Sequence, residues 1–592
     1  MKTEWNFSEL LENGVPQVEK EFSEYEKKVD EFVSNYKEDK SYLNNEKTLK
    51  KALEDYDLID ENYSNPNSLI YFWLRSNKNQ NDSKVRAKLN KLDDLAKKIS
   101  NKLIFFDLDL SKINLEKQKQ FLNSNILKEY RHFLKREFDA GKYLLSEKEE
   151  KLLVLESSVA YSNWKDMLSA LISKEERDIL INNKTEKKNF SELLSLCDNK
   201  DKDIRDSAAE AVNDILEKYS GVAEHEINSI LGYKKINDEL RNMTRPDLSR
   251  YLGDDIEPEI VDVLKESVVE NFGISKRYYD LKAKLLNIKK LTYFEKNVPY
   301  GSITKEYNFE DSYNLVKTVF ANLDKEFADV FERYFSLGRV DVFPKKGKTM
   351  GAFCAYFGKS KPIYVLLNHT NKLNDVLTIA HEFGHAINGE LSKKQNSLQY
   401  DIPTSTAEVA STFMEDFVLQ ELLKEADEEL RLSLMMQKLN SDVATIFRQI
   451  ACFSFEQELH AQFRLVGYLS KETIGKMFSK YMSDYLGDAV EMAKGSENWW
   501  VYWSHIRNYF YNYTYASGLL ISKAMQSMVK KDHSSITQIK EFLSAGNRES
   551  PKNILLELGI DITKKEFWLL GLKEVEILLN ETEKLAKKLG KI

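Results

Sequence analysis

The chain holds only 22 glycines and 9 prolines in 592 residues, and this scarcity of backbone breakers constrains its fold more than any other feature. A loop-rich or strand-rich protein needs glycine for left-handed turn positions and proline for turns and strand edges. Stretches such as EKEEKLLVLE instead interleave lysine, glutamate and leucine without interruption, as solvated helix faces do. The expected fold is therefore mainly α. A chain of this length exceeds one compact core, so two lobes or an elongated helical body are expected. Between Pro16 and about Lys200, helical patterns alternate with polar breaks such as ENYSNPNSL. The weakly periodic run that follows Leu180 predicts a boundary near Asp201 to Asp206, with an N-terminal helical lobe over 1–200 and a second region over 201–592.

Charge and cysteine usage narrow the function. The net charge of -8 is mild, and no basic patch with interleaved aromatics points to nucleic acid. No run of about eighteen apolar residues occurs, so no membrane span is expected. The opening MKTEWNFSELLENG lacks a cationic start followed by an apolar stretch, so no secretory signal is expected. Cys197, Cys354 and Cys452 lie far apart with no paired spacing, which favours a reducing compartment. The expectation is a cytoplasmic protein. Oligomeric state leaves no trace in the sequence.

One region departs from the helical pattern. GAFCAYF and PIYVLLN are alternating, β-branched runs separated by the turn GKSK, which reads as a β-hairpin. An open edge there would bind an extended peptide by strand addition. The hairpin ends just before NDVLTIAHEFGHAING, whose apolar residues Val376, Ile379, Ala380, Phe383 and Ala386 are spaced as in a largely buried helix. Asn374 or Asp375 could cap it and Gly389 could end it. His381 and His385, two of only eight histidines, then lie one turn apart on one face and can grip a single ion. Glu382 sits about a hundred degrees round the axis, where a base would take a proton from an activated water. Gly384 lacks a Cβ, so another chain or a substrate could approach closely.

Downstream, YDIPTSTAEVASTFMEDFVLQELL opens a second helix with Thr404 to Thr406 as possible caps. Glu408 in its first turns could complete a site of two imidazoles, one carboxylate and an open position. Glu415, on the same helical face, could orient a ligating histidine.

HEFGHA followed by AEVASTFMED resembles the thimet oligopeptidase superfamily of zinc metallopeptidases, and its bacterial oligoendopeptidase F branch in particular. GAFCAYFGKSKPIYVLLNH and HIRNYFYNYTYASG are similar to that branch too, so the likeness runs over roughly Val340 to Gly518. The resemblance implies a prolate molecule of two helical lobes around a deep central channel, with 201–592 as the catalytic region. It implies one zinc per chain held by His381, His385 and Glu408, with Glu382 as general base. Short peptides, not folded proteins, would be the substrates. It also implies that a histidine and tyrosines of the aromatic stretch donate to the tetrahedral intermediate. Those roles fall on His505, Tyr513 and Tyr511, although the spacing can be slid by two residues, and Tyr515 reads as core. His505 is expected one to three turns earlier on a helix. Phe353 stands where a tyrosine is common in the branch, and AING replaces the usual AIHS or ALHG, which bears on substrate preference.

Two other readings compete. A helical zinc carboxypeptidase would need a cationic pocket for a free C-terminus, and a catalytically silent peptide-binding protein would lack a ligand or Glu382. Arg507 could anchor a peptide carboxylate or form a surface ion pair. Arg448, Glu456 and Glu458 could form an internal ion network. His132, His225 and His533 sit in polar surroundings without a partner pattern, and His369 could approach the channel.

Overall fold

The computed structural model describes residues 1–182, 184–301 and 305–592. The fold is mainly α: the described residues form twenty-five α-helices and seven short strands. Several helices begin where the sequence offers a cap. Asn45 accepts from the amides of Lys47 and Thr48 ahead of Glu46–Asn62. Ser146 and Glu149 form a reciprocal capping box ahead of Glu147–Ser157.

The chain gathers into two compact units, each assembled from three separated segments. The first takes Met1–Leu144, Thr304–Lys424 and Met525–Asp561; the second takes Leu145–Ile303, Glu425–Ala524 and Ile562–Ile592. The boundary expected near residue 200 falls inside the second unit, where Asp201 caps the helix Lys202–Leu240.

In the first unit, the helices Val18–Tyr36, Glu46–Asn62, Ile104–Ser111 and Arg131–Gly141 bury an aromatic core in which Phe32 meets Phe106 edge-on at 5.1 Å. A three-stranded sheet lies beyond it. Its central strand Tyr364–Leu366 runs parallel to Val340–Asp341 and antiparallel to Phe353–Ala355, with Phe353 opposite Leu366 and Ala355 opposite Tyr364. The hairpin read from the alternating runs is therefore present, with Phe353–Ala355 at the sheet edge. Trp5 pins the central strand by donating from its indole to the Val365 carbonyl at 2.9 Å.

In the second unit, the 39-residue helix Lys202–Leu240 extends for about 58 Å. Its Glu226 forms a two-bond ion pair with Arg507, both bonds 2.8 Å and both residues buried. Arg507 is thus committed internally; it is neither a surface ion pair nor a free peptide anchor. A second hairpin, Glu176–Ile181 with Lys184–Asn189, has no counterpart in the sequence reading. Asn182 stands at φ 49°, which asparagine tolerates better than most residues.

Candidate metal centre

The histidine helix spans Leu373–Ser392, and Asp375 caps it by accepting from the amides of Thr370 and Lys372 at 2.6 and 3.0 Å. Its apolar stripe is buried as the periodicity requires. Phe383 sits 4.4 Å from the ring centre of Phe331 and stacks on Phe335 at 5.5 Å. The helix does not stop at Gly389. A Cβ there would lie 2.3 Å from the ring of Tyr356, so the glycine admits the hairpin's aromatic residue and does not end the helix. Asn388, within the divergent AING, donates to the Leu543 carbonyl at 2.7 Å and anchors the helix to the segment Met525–Asp561.

The carboxylate helix, Ala407–Glu425, follows a short turn over Thr404–Thr406. It crosses the histidine helix at Gly384. A Cβ on Gly384 would lie 2.5 Å from Ser411 Cα and 2.6 Å from the Ala410 carbonyl oxygen. The close approach anticipated at this glycine is thus made by the chain itself, and it delivers Glu408.

His381, His385 and Glu408 offer ligand atoms that all lie within 4.8 Å of one another. Glu408 Oε2 is 3.4 Å from His381 Nε2 and 3.6 Å from His385 Nε2. The other nitrogen of His381, Nδ1, lies 3.2 Å from Glu415 Oε2. A proton on Nδ1 held by that carboxylate leaves the Nε2 lone pair facing the triad. Burial, the largest single effect, works against charge on His381, but the hydrogen bond and charge of Glu415 together with the charges of Glu408 and Glu382 raise its pKa. At His385 burial, reinforced by His381, lowers it. Ser411 Oγ donates to Glu408 Oε2 at 2.8 Å and fixes the carboxylate.

Glu382 points to one side of this triad. It is 7 % exposed, and burial raises its carboxyl to about 7, opposed by His381 and by a hydrogen bond from the Cys354 backbone. The hairpin edge therefore touches the base directly. Glu382, the three triad residues and the edge strand open on one cavity of about 530 Å³.

Residues 163–574 match the family described as Peptidase family M3, and residues 109–174 match that described as Oligopeptidase F. The chain belongs to peptidase family M3. It is a metalloendopeptidase, and membership implies a metal cofactor and peptide substrates. This M3 peptidase is 24 % identical over 531 residues to the plasmid-encoded oligoendopeptidase F of Lactococcus lactis subsp. cremoris, across 88 % of this chain and 87 % of that one. It is 25 % identical over 534 residues to oligopeptidase PepF of Bacillus subtilis, across 88 % and 78 % of the two chains. A peptidase structure from Chlamydophila abortus shares the fold with a TM-score of 0.87 at 21 % identity, covering 98 % of both chains. Oligoendopeptidase-F from Enterococcus faecium does so with a TM-score of 0.71 at 18 % identity, covering 96 % of this chain and 100 % of that one.

The M3 peptidase carries its aromatic stretch in the second unit. His505 lies in a single 3-10 turn, Ser504–Arg507, and not on the α-helix, which begins only at Tyr513. Between them Tyr509 and Phe510 take φ values of 50° and 59°, a region costly for aromatic residues. Three contacts hold this turn: Arg250 donates to the carbonyls of Asn508 and Tyr509, and Glu456 accepts the Phe510 amide at 2.8 Å. His505 then stacks on Tyr511 at 5.5 Å, with Tyr515 at 5.9 Å. Burial, with Arg448 adding to it, lowers the His505 pKa, so the ring is neutral at pH 7.

Tyr513 is placed differently. It is fully buried, and its hydroxyl donates to Asp254 Oδ2 at 2.7 Å, which leaves no proton to offer an oxyanion. The expected ion network of Arg448, Glu456 and Glu458 does not form: Glu456 serves the Phe510 amide, and Glu458 pairs with Lys480 at 3.0 Å. His369 hydrogen-bonds Ser312 at 3.1 Å, packs edge-on against Phe309 and is structural. His132 does have a partner, Glu549, 2.7 Å from its Nδ1.

Proposed function

We propose that this M3 peptidase is a zinc-dependent oligoendopeptidase that hydrolyses internal bonds of short, unfolded peptides. The triad geometry is the observation that supports this most. A tetrahedral ion with bonds of about 2.1 Å has ligand atoms about 3.4 Å apart, and the two nitrogen-to-carboxylate separations are 3.4 and 3.6 Å. Two imidazoles, one carboxylate and an open side fit zinc in a hydrolytic role. Zinc held by His381, His385 and Glu408 supplies a Lewis acid and lowers the pKa of water.

The remaining roles belong to the chain's own side chains. Glu382, poised near neutrality, takes the attacking water's proton and returns it to the leaving amine. Glu415 keeps His381 in the tautomer that presents Nε2. Neutral His505 and Tyr511 donate to the developing oxyanion; Tyr511 takes the part first read for Tyr513, because it is only half-buried. The edge strand Phe353–Ala355 aligns the extended peptide by backbone pairing. Relatives named oligoendopeptidase support internal cleavage. Three free cysteines fit work in the cytoplasm.

Digestion of a mixed peptide library, free and C-terminally amidated, tests this reading by mass spectrometry. Internal cuts in both sets are expected, abolished by a chelator and restored by zinc. Trimming of C-termini that stops on the amidated set would establish a carboxypeptidase instead, and full activity in metal-free protein would dismiss the zinc mechanism.

A further inference from the structure

The second unit holds a cavity of about 390 Å³, of whose wall residues the steps above use His505 alone, a volume in the range of small-molecule sites. The connection Tyr293–Asn297 and the aromatic turn Ser496–Val501 contribute to its wall. Two cations stand in it. Arg448 donates to Asn297 Oδ1 at 2.7 Å and to the Tyr485 hydroxyl at 3.3 Å. Lys296, 5 % exposed, donates to the Tyr293 carbonyl at 3.2 Å. Its ammonium lies 3.8 Å from the ring centre of Tyr293 and 4.6 Å from that of Trp499.

Every one of these partners is neutral. Among the described residues no ion pair joins Arg448 or Lys296 to a carboxylate. Lys282, behind the wall, adds a third amine bonded only to the Lys296 carbonyl and to Asn440. Among the described residues Asp198 is the only carboxylate on the wall; no ion pair joins it to these cations, although it feels the charge of all three. Buried charges are ordinarily paired, because an uncompensated ion in a low-dielectric interior is costly. Aromatic faces compensate a cation only in part. Burial and the neighbouring Arg448 charge pull Lys296 well below the ordinary lysine range, and the charge of Asp198 opposes them only in part.

We infer that this cavity is a binding site for a carboxylate carried on an apolar or aromatic group. The guanidinium of Arg448 offers donors, the Lys296 amine a further donor that a bound anion would hold protonated, and Trp499, Tyr502 and Trp503 the flanking surface. Two sources share this chemistry: a free carboxylic acid, or the C-terminal carboxylate of a peptide. The second rests on the peptidase reading, since His505 belongs to the same wall.

The test uses full-length, zinc-loaded Glu382→Gln protein, titrated calorimetrically with N-acetylphenylalanine and with its amide. The acid should bind about tenfold or more tighter than the amide. Arg448→Gln should remove that difference, and Lys296→Met should reduce it. Equal binding of acid and amide, or binding of neither, overturns the inference, and this comparison needs no cavity variant to fold. Binding of inorganic phosphate in place of the acid overturns it as well. A short peptide and its C-terminal amide distinguish the sources. Tighter binding of the peptide acid, lost in Arg448→Gln, assigns the site to substrate C-termini; the effect seen with N-acetylphenylalanine alone assigns it to free acids. If neither peptide binds while N-acetylphenylalanine does, the peptidase reading fails and the cavity assignment stands.

Discussion

Tyr511 and Tyr513 stand two residues apart and have different work to do. Tyr513 spends its hydroxyl on Asp254 inside the second unit. Tyr513→Phe should therefore lower stability by about 1–3 kcal/mol and leave kcat within about twofold of wild type. If Tyr511 donates to the oxyanion as proposed, Tyr511→Phe should lower kcat about a hundredfold with KM nearly unchanged. Steady-state kinetics beside thermal melts separates the two, and a large kcat defect in Tyr513→Phe would return the donor role to that residue. Glu382→Gln is the corresponding test at the base. It should keep about one zinc per chain by metal analysis while losing turnover by about a hundredfold or more; loss of the metal would make Glu382 a ligand. At this scale the convergence of His381, His385 and Glu408 was legible, because two histidines one turn apart share a face and the next apolar helix carries a carboxylate in its first turn. The choice between Tyr511 and Tyr513 was not legible. It depends on Tyr509 and Phe510 at positive φ, held by Arg250 and Glu456 from segments remote in sequence.

At the scale of elements, one glycine carries the metal centre. The crossing at Gly384 brings the two helices together backbone to backbone, so Gly384→Ala must drive Ala407–Glu425 outward. We expect zinc affinity to drop about tenfold or more, with a stability loss of roughly 1–3 kcal/mol. Equilibrium zinc titration and denaturant unfolding check both, and unchanged affinity would show that the helices re-pack freely. The histidine helix, the carboxylate helix and the sheet hairpin could all be read from periodicity and caps. The hairpin at Glu176–Asn189 could not, because its strands are mostly charged and present no alternating apolar face. The part of Tyr293–Asn297 as a cavity wall was not legible either. That depends on Arg448 and Trp499 arriving from much later in the chain.

At the scale of the whole molecule, each compact unit is closed by segments far apart in sequence. One such closure is titratable. The hydrogen bond from His132 holds the Glu549 carboxyl down from 4.5 to about 2, against the opposing effect of burial. A depressed carboxyl stabilises the fold above its unfolded pKa, and that contribution disappears as pH falls from about 4.5 towards 2. Glu549→Gln should therefore lower Tm at pH 6, with the gap to wild type narrowing by pH 3. A gap that is constant with pH would show the residue to matter through packing alone.

The interleaving of segments also sets an order of events during synthesis. All three triad residues and Glu382 have been polymerised once the ribosome passes Glu408. The segment bearing Leu543, whose carbonyl accepts hydrogen bonds from Asn388 and Ser392 on the histidine helix, has not. At ordinary elongation rates it follows on the order of ten seconds later. Through that interval a nascent chain carries these groups on a histidine helix that still lacks its Leu543 anchor.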